Sequence, residues 1–274
     1  MIYVVTAAHD RYQITERFIE SLKSQTYQEI HLILVDDGSS DGTGEMVRER
    51  FPNSTVLRGD GNLWWGGALH MAYKWIRKNV ADDRAYVMIS NDDTQYLPDY
   101  IETGVRLLDR YPDTLVAGCG YGIHSRELMD GIFTHSFIDG TGKLMPPESE
   151  SNCASTRSLF LRAGDWKRIG GMHPLLLPHY LSDFEFTIRA HKKGFHIRSF
   201  QELCYTFDEG ATGDNVYDKL TVKKLFSKRS GCNPIYRISF IFLSTPIRYL
   251  PAHFGHQMRR YLQKLGLVKK IIQK

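Results

Sequence analysis

Cysteine is scarce in this sequence and is never closely spaced. The 274 residues contain four cysteines, and no two of them form a Cys-x-x-Cys pair: Cys119, Cys153, Cys204 and Cys232. Structural zinc sites and disulfide-rich domains need cysteines that are paired or numerous. The sequence therefore argues against a structural zinc site and against a disulfide-rich domain. Its few, widely spaced cysteines fit a reducing compartment.

Long hydrophobic runs are also missing. No run approaches the roughly 20 apolar residues that a membrane-spanning helix needs. The chain opens with a strand-like stretch that has no charged leader or cleavage site, so we expect no signal peptide and a cytoplasmic protein. A G-x-x-x-x-G-K-[ST] loop is absent as well, which excludes the P-loop NTPases.

Acidic residues are absent from the last fifth of the chain. Residues 219–274 contain 13 lysines or arginines and no aspartate or glutamate, whereas the other 218 residues hold 22 basic and 31 acidic ones. This asymmetry indicates a tail that meets an anionic surface, with a merely solvated tail as the alternative. The excess of acid elsewhere argues against nucleic acid as the partner.

Apolar stretches alternate with amphipathic ones through the first 120 residues. Buried strands are predicted at residues 2–6, 30–35, 55–57, 86–89 and 115–118, with helices between them. Strands and helices in this rhythm predict an α/β fold with a doubly wound, mainly parallel sheet.

The rhythm changes after residue 120. We predict a strand pair within residues 129–138, a loop at 140–151, a strand at 158–161, a helix at 181–193, and two short strands at 195–200 and 203–207. Residues 1–120 and 121–218 are expected to form two regions of one domain, followed by a helical basic tail at 219–274.

Acidic residues follow two of the predicted strands. Asp36-Asp37 begin a Gly/Ser-rich loop, and Asn91-Asp92-Asp93 follow the strand at 86–89. The carboxyl ends of strands form the ligand crevice of an open α/β sheet. Adjacent carboxylates there favour a bound cation, and Mg²⁺ or Mn²⁺ shared with substrate phosphates fits. Capping of the following turn is the alternative for Asp92 and Asp93.

Four segments together resemble one enzyme family. Asp36-Asp37-Gly38-Ser39-Ser40-Asp41-Gly42-Thr43 and the preceding residues 21–27 are similar to the nucleotide-binding region of glycosyltransferase family 2, an inverting family with the GT-A fold. Asn91-Asp92-Asp93 resembles its metal-binding Asp-x-Asp, and residues 183–189 resemble the segment with its catalytic base. The matches cover roughly residues 1–210. The resemblance implies a GT-A sheet with a short antiparallel region on the acceptor side.

The resemblance also implies how a nucleotide sugar is held. Asp37 would accept a hydrogen bond from the nucleotide base, as suits an acceptor-only carboxylate, unless it caps the helix that follows. Further contacts with the nucleotide sugar are expected from Ala7, His9, Asn62, Trp65, Gly66 and Asp92.

The segment Gly61-Asn62-Leu63-Trp64-Trp65-Gly66-Gly67 is unusual in composition. Its tryptophans supply flat faces for stacking on a sugar or base, and its glycines allow close backbone approach to phosphate. Core packing is the alternative for each tryptophan. The segment resembles rhamnosyltransferase-like members of the family, which implies rhamnose or another hexose in the donor.

The metal, Mg²⁺ or Mn²⁺, is assigned by the resemblance mainly to Asp93, with Asn91 and Asp208 as further candidates. Many members of the family place a histidine after the base segment, whereas this chain has no histidine there. Asp208 is one replacement. The alternative is that Lys228 and Arg229 hold the diphosphate.

Asp183 is the candidate general base. A carboxylate at the start of a helix could take the proton from an acceptor hydroxyl that attacks an oxocarbenium-like centre. Capping of its own helix is the alternative role for Asp183, and it is compatible with catalysis. We therefore expect Asp37, Asp93 and Asp183 to open onto one cleft.

The predicted function is metal-dependent, inverting transfer of a sugar from a nucleoside diphosphate sugar to a hydroxyl of a surface glycan. A glycan on a lipid carrier is the expected acceptor, with the basic tail on the anionic inner face of the membrane. Two alternatives are a sugar-phosphate nucleotidyltransferase and a non-catalytic protein that binds nucleotide sugars.

Overall fold

The computed structural model describes residues 1–210, 226–228 and 230–264. Arg229 and the outer parts of the predicted basic tail, residues 219–225 and 265–274, lie outside the described residues.

Thirteen strands are found in this part of the chain. They are β1 Ile2–Ala8, β2 Ile30–Asp36, β3 Ser54–Arg58, β4 Tyr86–Ser90, β5 Thr94–Tyr96, β6 Thr114–Gly122, β7 Leu128–Asp130, β8 Ile132–His135, β9 Gly142–Leu144, β10 Ser149–Ser151, β11 Cys153–Ala154, β12 Ser158–Arg162 and β13 His196–Phe207.

The helices in the described ranges lie between these strands and after them. They are α1 Tyr12–Lys23, α2 Thr43–Arg50, α3 Trp64–Asn79, α4 Tyr100–Arg110, α5 Ala163–Ile169, α6 Ser182–Lys192, α7 Pro234–Ser244 and α8 Leu250–Lys264, with a 3₁₀ turn at Ile247–Tyr249.

The central sheet has ten strands. Its long path is β10-β13-β6-β12-β4-β1-β2-β3, with β5 paired to β13 and β7 to β6. The strands β1, β2, β3, β4, β6 and β13 run in one direction, and β12 is antiparallel to both β4 and β6. A smaller antiparallel sheet, β11-β8-β9, accompanies it. The predicted fold class, a mainly parallel α/β sheet with a short antiparallel region, is confirmed.

Alternation along the central strands creates a core on each face of the sheet, because successive side chains of a strand point to opposite sides. One face carries Val5, Ile33 and Ile89 against α3, α5 and α6. The other carries Val4, Leu32 and similar side chains against α1, α2 and α4. Strands that are buried on both faces explain the unbroken apolar runs in the sequence.

The register of the first strands aligns three loops at one edge of the sheet. Ala8 at the end of β1 pairs with Asp36 at the end of β2, and Val5 pairs with Ile89 near the end of β4. The chain therefore leaves these parallel strands on the same side, with Asp37 and Asn91 directly after two of them.

Three details after residue 120 differ from the sequence prediction. The two short strands predicted at 195–200 and 203–207 are one strand, β13, with an irregularity between Ser199 and Cys204. The predicted loop at 140–151 contains β9 and β10. The two strands predicted to pair within residues 129–138 do not pair with each other, because β7 pairs with β6 and β8 pairs with β9 and β11.

The helix α7 is fixed at its start and along one side. Asn233 caps it by accepting the N–H of Ile235 at 3.0 Å, and Pro234 occupies the first turn. Its buried Phe240 packs in one cluster with Leu177 and with Ile188 of α6. Lys192 of α6 donates to the carbonyl of Leu243 at 3.2 Å. The helices α6 and α7 are thus one packed unit.

Two helical glycines allow a test of this packing. A Cβ on Gly104 of α4 would overlap the ring of Phe160, which is fully buried, whereas a Cβ on Gly255 of α8 meets nothing within 4 Å in the described part of the chain. We expect Gly104→Ala to lower the free energy of unfolding by about 1–3 kcal/mol through overpacking. Gly255→Ala, the matched control, should raise it by about 0.5–1 kcal/mol. Urea unfolding followed by circular dichroism measures the free energy of unfolding of both variants. Equal changes in the two variants would contradict the packing described for Gly104.

Candidate active site

The end of β1 supplies the first part of the site. His9 lies just beyond β1, where its Nδ1 is 2.6 Å from the carbonyl oxygen of Asp37. Its side chain is 54% exposed, so one face of the ring remains open to solvent. Arg11 follows at the start of α1 and points towards the loop after β4, where its Nε lies 3.0 Å from Asp92.

Asp37 organises the neighbouring loop. Its carboxylate accepts the backbone N–H groups of Gly61 at 2.9 Å, Leu63 at 2.9 Å and Trp64 at 3.1 Å. It therefore caps the start of α3, although the sequence suggested a cap on the helix after Asp37. A carboxylate has about four acceptor positions, so it can still receive a bond from a ligand.

Asp36, in contrast, is fully buried and pairs with Arg58 at 2.7 Å. It also accepts the N–H of Ser39 at 2.9 Å, so it stabilises its own loop.

Two bulky residues near the site adopt left-handed backbone conformations. Trp64 has φ 57° at the start of α3, and Leu181 has φ 69° directly before α6. Such angles are costly for large side chains and occur most often at functional sites. The Trp64 ring lies 5.6 Å from the ring of His179, so the segment before α6 closes over the start of α3.

The carboxylates after β4 are held by arginines. Asp92 is 4% exposed and accepts hydrogen bonds from Arg11 and, at 2.8 Å, from Thr15. Burial raises the pKa of Asp92, and the Arg11 guanidinium opposes that rise. Asp93 lies between two cations, with its Oδ1 2.5 Å from Arg157 and its Oδ2 3.5 Å from Arg11.

These elements enclose a cavity of about 480 Å³ at the carboxyl edge of the sheet. The structure brings seven of the residues predicted for the site to this cavity: Ala7, His9, Asp37, Trp65, Asn91, Asp92 and Asp93. Sequence reasoning missed His179 as a further wall residue, and Arg11 lies there too. Two of the three acidic side chains expected to converge, Asp37 and Asp93, thus share one cavity.

Besides Asp183, three predicted residues lie outside the wall of this cavity as the described residues define it. Asn62 is exposed, and its Oδ1 receives hydrogen bonds from the Trp64 indole at 3.1 Å and from Lys228 at 2.8 Å. Gly66 donates its N–H to the carbonyl of Pro178 at 2.8 Å. A Cβ on Gly66 would lie 2.5 Å from Leu177 O, so this glycine permits close packing of α3 against the segment before α6.

Asp208 is the third predicted residue outside the cavity wall. It lies within a group of potential metal-binding side chains that also contains His124 and Glu209. The Oδ1 of Asp208 is 3.5 Å from His124 Nε2. Its neighbour Phe207 pairs with Thr94, the residue after Asp93, so β5 and β13 bring the two acidic loops to adjacent strand ends.

Asp183 lies in the first turn of α6, next to the cavity but not in its wall as the described residues define it. Burial raises the pKa of Asp183 to about 6, and the charge of Asp130 adds to the rise. Backbone N–H groups of Phe184 and Thr156 lower it. A carboxyl group with a pKa near 6 is suited to accept a proton close to neutral pH.

Residues 155–157 connect Asp183 with the cavity. The Thr156 hydroxyl accepts the indole N–H of Trp65 at 3.0 Å. The backbone N–H of Thr156 donates a hydrogen bond to Asp183 and lowers its pKa. Arg157 binds Asp93 on one side and Asp130 on the other, with Nε 3.2 Å from Asp130 Oδ2. Its guanidinium also lies 4.4 Å from the centre of the Phe207 ring.

Asp130, Thr156 and Arg157 were not predicted from the sequence. No local pattern marks them, because their partners are distant along the chain: Arg157 contacts Asp93 and Asp130, and Thr156 contacts Trp65. For Thr156 and Arg157 the one sequence signal is that they directly precede the buried strand β12.

Asp93 provides the chemistry that a divalent cation needs. Its carboxylate lies in the cavity wall, and its Oδ2 has only a long contact with Arg11, so acceptor capacity remains. Hard cations such as Mg²⁺ and Mn²⁺ prefer oxygen ligands and commonly take the remaining ones from phosphates and water. Asp93, with Asn91 in the same cavity wall, fits such an ion.

A mainly parallel α/β sheet, acidic loops at its carboxyl edge and a carboxylate on a helix beside them define the GT-A class of glycosyltransferases. Residues 3–168 match the profile of glycosyl transferase family 2. The chain belongs to this family and is a glycosyltransferase.

A curated relative of known activity covers part of the chain. The N-acetylglucosaminyl-diphospho-decaprenol L-rhamnosyltransferase of Mycobacterium tuberculosis is 29% identical over 102 residues, which are 35% of this chain and 33% of that protein. The matched region therefore spans about a third of the relative's length.

Solved structures are similar over nearly the whole chain. Crystal structures of S. aureus TarS match 98% of this chain and 46% of theirs with a TM-score of 0.63 and 13% identity. A shorter form of TarS in complex with UDP-GlcNAc matches 96% of this chain and 72% of its own, with a TM-score of 0.61 and 13% identity. Mannosyltransferase PcManGT from Pyrobaculum calidifontis, in complex with GDP-Man and Mn²⁺, matches 98% of this chain and 81% of its own with a TM-score of 0.54 and 13% identity. At this identity the likeness concerns the fold.

Proposed function

We propose that this glycosyltransferase moves a sugar from a nucleoside diphosphate sugar to an acceptor hydroxyl and inverts the anomeric centre. The observation that carries the proposal is that Asp93 and Asp183 contact two adjacent residues, Arg157 and Thr156. Asp93 offers an oxygen ligand to a cation that binds a diphosphate. Asp183 offers a base with a pKa near 6.

The donor would occupy the cavity at the carboxyl edge of the sheet. Asp37 has acceptor capacity for a nucleotide base, and the exposed face of His9 is available for stacking. Asp92 is the candidate contact to the ribose or the sugar. Relatives include a rhamnosyltransferase, a structure with UDP-GlcNAc and one with GDP-Man. Rhamnose or another hexose is the sugar that we propose for this chain.

Asp93, with Asn91 beside it, would hold Mg²⁺ or Mn²⁺ together with the donor diphosphate. When bound, the ion offsets the negative charge of the leaving diphosphate. Arg11 and Arg157 position the Asp93 carboxylate from two sides. Because Asn91 is neutral, the site carries one negative charge fewer than an Asp-x-Asp site would.

Asp183 would act as the general base. As the acceptor oxygen bonds to the anomeric carbon, its proton passes to the Asp183 carboxylate. The bond from the anomeric carbon to the diphosphate oxygen breaks, and its electron pair leaves with the diphosphate. Because the acceptor attacks the face opposite the leaving group, one displacement inverts the configuration.

The acceptor that we propose is a glycan on a lipid carrier. The name of the M. tuberculosis relative specifies a diphospho-decaprenol acceptor, and the basic C-terminal region suits an anionic surface. Among the described helices, none is both long and apolar enough to cross a bilayer. From the basic C-terminal region and the proposed lipid-linked acceptor, we propose peripheral association with the inner face of the membrane.

A screen of nucleotide sugars tests the proposed function. UDP-, dTDP- and GDP-sugars are added to the full chain with and without Mn²⁺ or Mg²⁺, and thermal unfolding is followed. A ligand at about 100 times its Kd contributes about 2.7 kcal/mol, so the true donor should stabilise the protein clearly, and only with the metal. Stabilisation without turnover on any glycan acceptor would favour a non-catalytic binding protein. No stabilisation by any nucleotide sugar would contradict the proposal.

A further inference from the structure

The helix α7 exposes an apolar stripe. Ile235, Ile238 and Phe242 are spaced by three and four residues, so they lie on one side of the helix. Ile235 is 59% exposed and Phe242 64% exposed. The turn that follows presents Ile247, which is 86% exposed. Large side chains gathered in this way on a surface mark an interaction site more often than isolated ones do.

The other side of these helices is packed against the enzyme. Phe240, Ile241 and Ser244 of α7 are buried. His253 of α8 is 2% exposed and is bonded to Thr245 at 2.7 Å. The stripe therefore belongs to the outer side of a well-anchored pair of helices.

The segment that carries the stripe has charge of one sign. Residues 226–264 contain no aspartate or glutamate, and Asp139 from outside the segment interacts with Arg260 of α8. Arg248, next to Ile247, and Arg259 of α8 are both exposed. Apolar side chains flanked by arginines, without acidic groups, are typical of surfaces that lie at the boundary between headgroups and acyl chains.

We propose that the stripe, namely Ile235, Ile238, Phe242 and Ile247, docks on a bilayer that contains anionic lipids. The apolar side chains enter the boundary region, and Arg248 and Arg259 contact lipid phosphates. The surface adjoins the catalytic helix, because α7 packs on α6, which begins at Asp183. Docking would thus turn the base side of the site towards a lipid-linked acceptor, and in this respect the inference rests on the proposed function.

The apolar contribution is tested with the full chain and vesicles. Flotation is measured with phosphatidylcholine vesicles that contain phosphatidylglycerol. Phe242→Ser should lower the partition coefficient by about tenfold or more, because a large apolar side chain no longer enters the bilayer. Leu97→Ser is the matched control, since Leu97 is also 64% exposed but lies between β5 and α4. The control should bind like the wild type.

The charge contribution is tested separately. Arg248→Gln and Arg259→Gln should each lower binding to the anionic vesicles by about fivefold. Neither change should alter the weak binding to vesicles of phosphatidylcholine alone. High salt should reduce the difference between the two kinds of vesicle, because it screens exposed charges.

Two results would overturn the inference. Phe242→Ser could float with anionic vesicles as well as the wild type does. Alternatively, sedimentation could show a dimer of the wild type that Phe242→Ser dissociates, which would identify a second copy of the chain as the occupant of the stripe. Stabilisation by nucleotide sugars is measured in parallel and should be unchanged in these variants. Failure of the donor screen with intact vesicle binding would refute the proposed function and leave the docking surface standing.

Discussion

Replacing Asp183 by asparagine is expected to lower the rate of sugar transfer by about 10²–10⁴-fold, the usual contribution of a general base. Asparagine keeps the size of the side chain but cannot accept the proton. The donor cavity lies beyond residues 155–157, so metal-dependent stabilisation by the nucleotide sugar should persist. Transfer is measured with saturating donor and acceptor. Transfer at the wild-type rate would remove Asp183 from the role of base.

The matched control is Asp165→Asn. Asp165 is also an acidic residue in the first turn of a helix, α5, and burial raises its pKa as well. It does not line the donor cavity as the described residues define it. Its replacement should leave transfer unchanged, which separates the loss of the base from the loss of a helix-terminal charge.

The pH profile of the wild type follows from the same carboxyl group. The base must be ionised, and its pKa in the folded protein is about 6. Transfer should therefore be constant above this pH and fall about tenfold per pH unit below it. Stability should change in the opposite direction: a raised pKa favours folding at pH below the ordinary value of 3.8, and that advantage is lost as the pH rises to about 6.

Asp183→Asn should consequently increase the free energy of unfolding at pH 7, by up to about 3 kcal/mol. Near pH 3.5 the variant and the wild type should be equally stable. Lower stability of the variant at both pH values would indicate that the Asp183 carboxylate mainly caps α6.

Replacing Asp93 by asparagine is expected to abolish the metal dependence of donor binding and to lower transfer about a hundredfold or more. The change removes the cavity-wall carboxylate that we propose as the cation ligand. Asp92 should not replace it, because its side chain is 4% exposed and is held by Arg11 and Thr15. Calorimetric titration of Mn²⁺ into the protein with nucleotide sugar measures the change.

Asn91→Asp is the complementary variant, in which metal binding should become stronger. It adds a carboxylate beside Asp93, so the affinity for Mn²⁺ should increase. Urea unfolding of Asp93→Asn provides the control for folding, since Arg157 keeps its second partner, Asp130. Unchanged Mn²⁺ affinity in both variants would place the cation elsewhere, for example beside Asp208 with His124 and Glu209.

The acidic loops illustrate what local sequence can predict. Asp37 and Asp93 each follow an apolar strand, and parallel strands end at a common edge, so their proximity could be inferred before any coordinates. The role of the Asp37 carboxylate could not be inferred in this way. The carboxylate accepts hydrogen bonds from three backbone N–H groups of residues 61–64, and these bonds depend on how α3 packs against the sheet.

Glycines and tryptophans after Asn62 show the same limit. The sequence indicated an unusual loop, but Gly66 packs against Pro178, and Trp65 reaches Thr156 through its indole. Both partners are more than 90 residues away along the chain. Such contacts depend on packing between elements, which periodicity does not encode.

Local periodicity was enough to predict the α/β class, the buried strands and the position of Asp37, Asn91, Asp92 and Asp93 at their ends. The antiparallel entry of β12 between β4 and β6 became known only from the folded chain. That insertion carries Arg157 to Asp93 and Asp130, and Thr156 to Trp65 and Asp183. Long-range pairing, rather than local preference, therefore connects the cavity at the carboxyl edge of the sheet with Asp183.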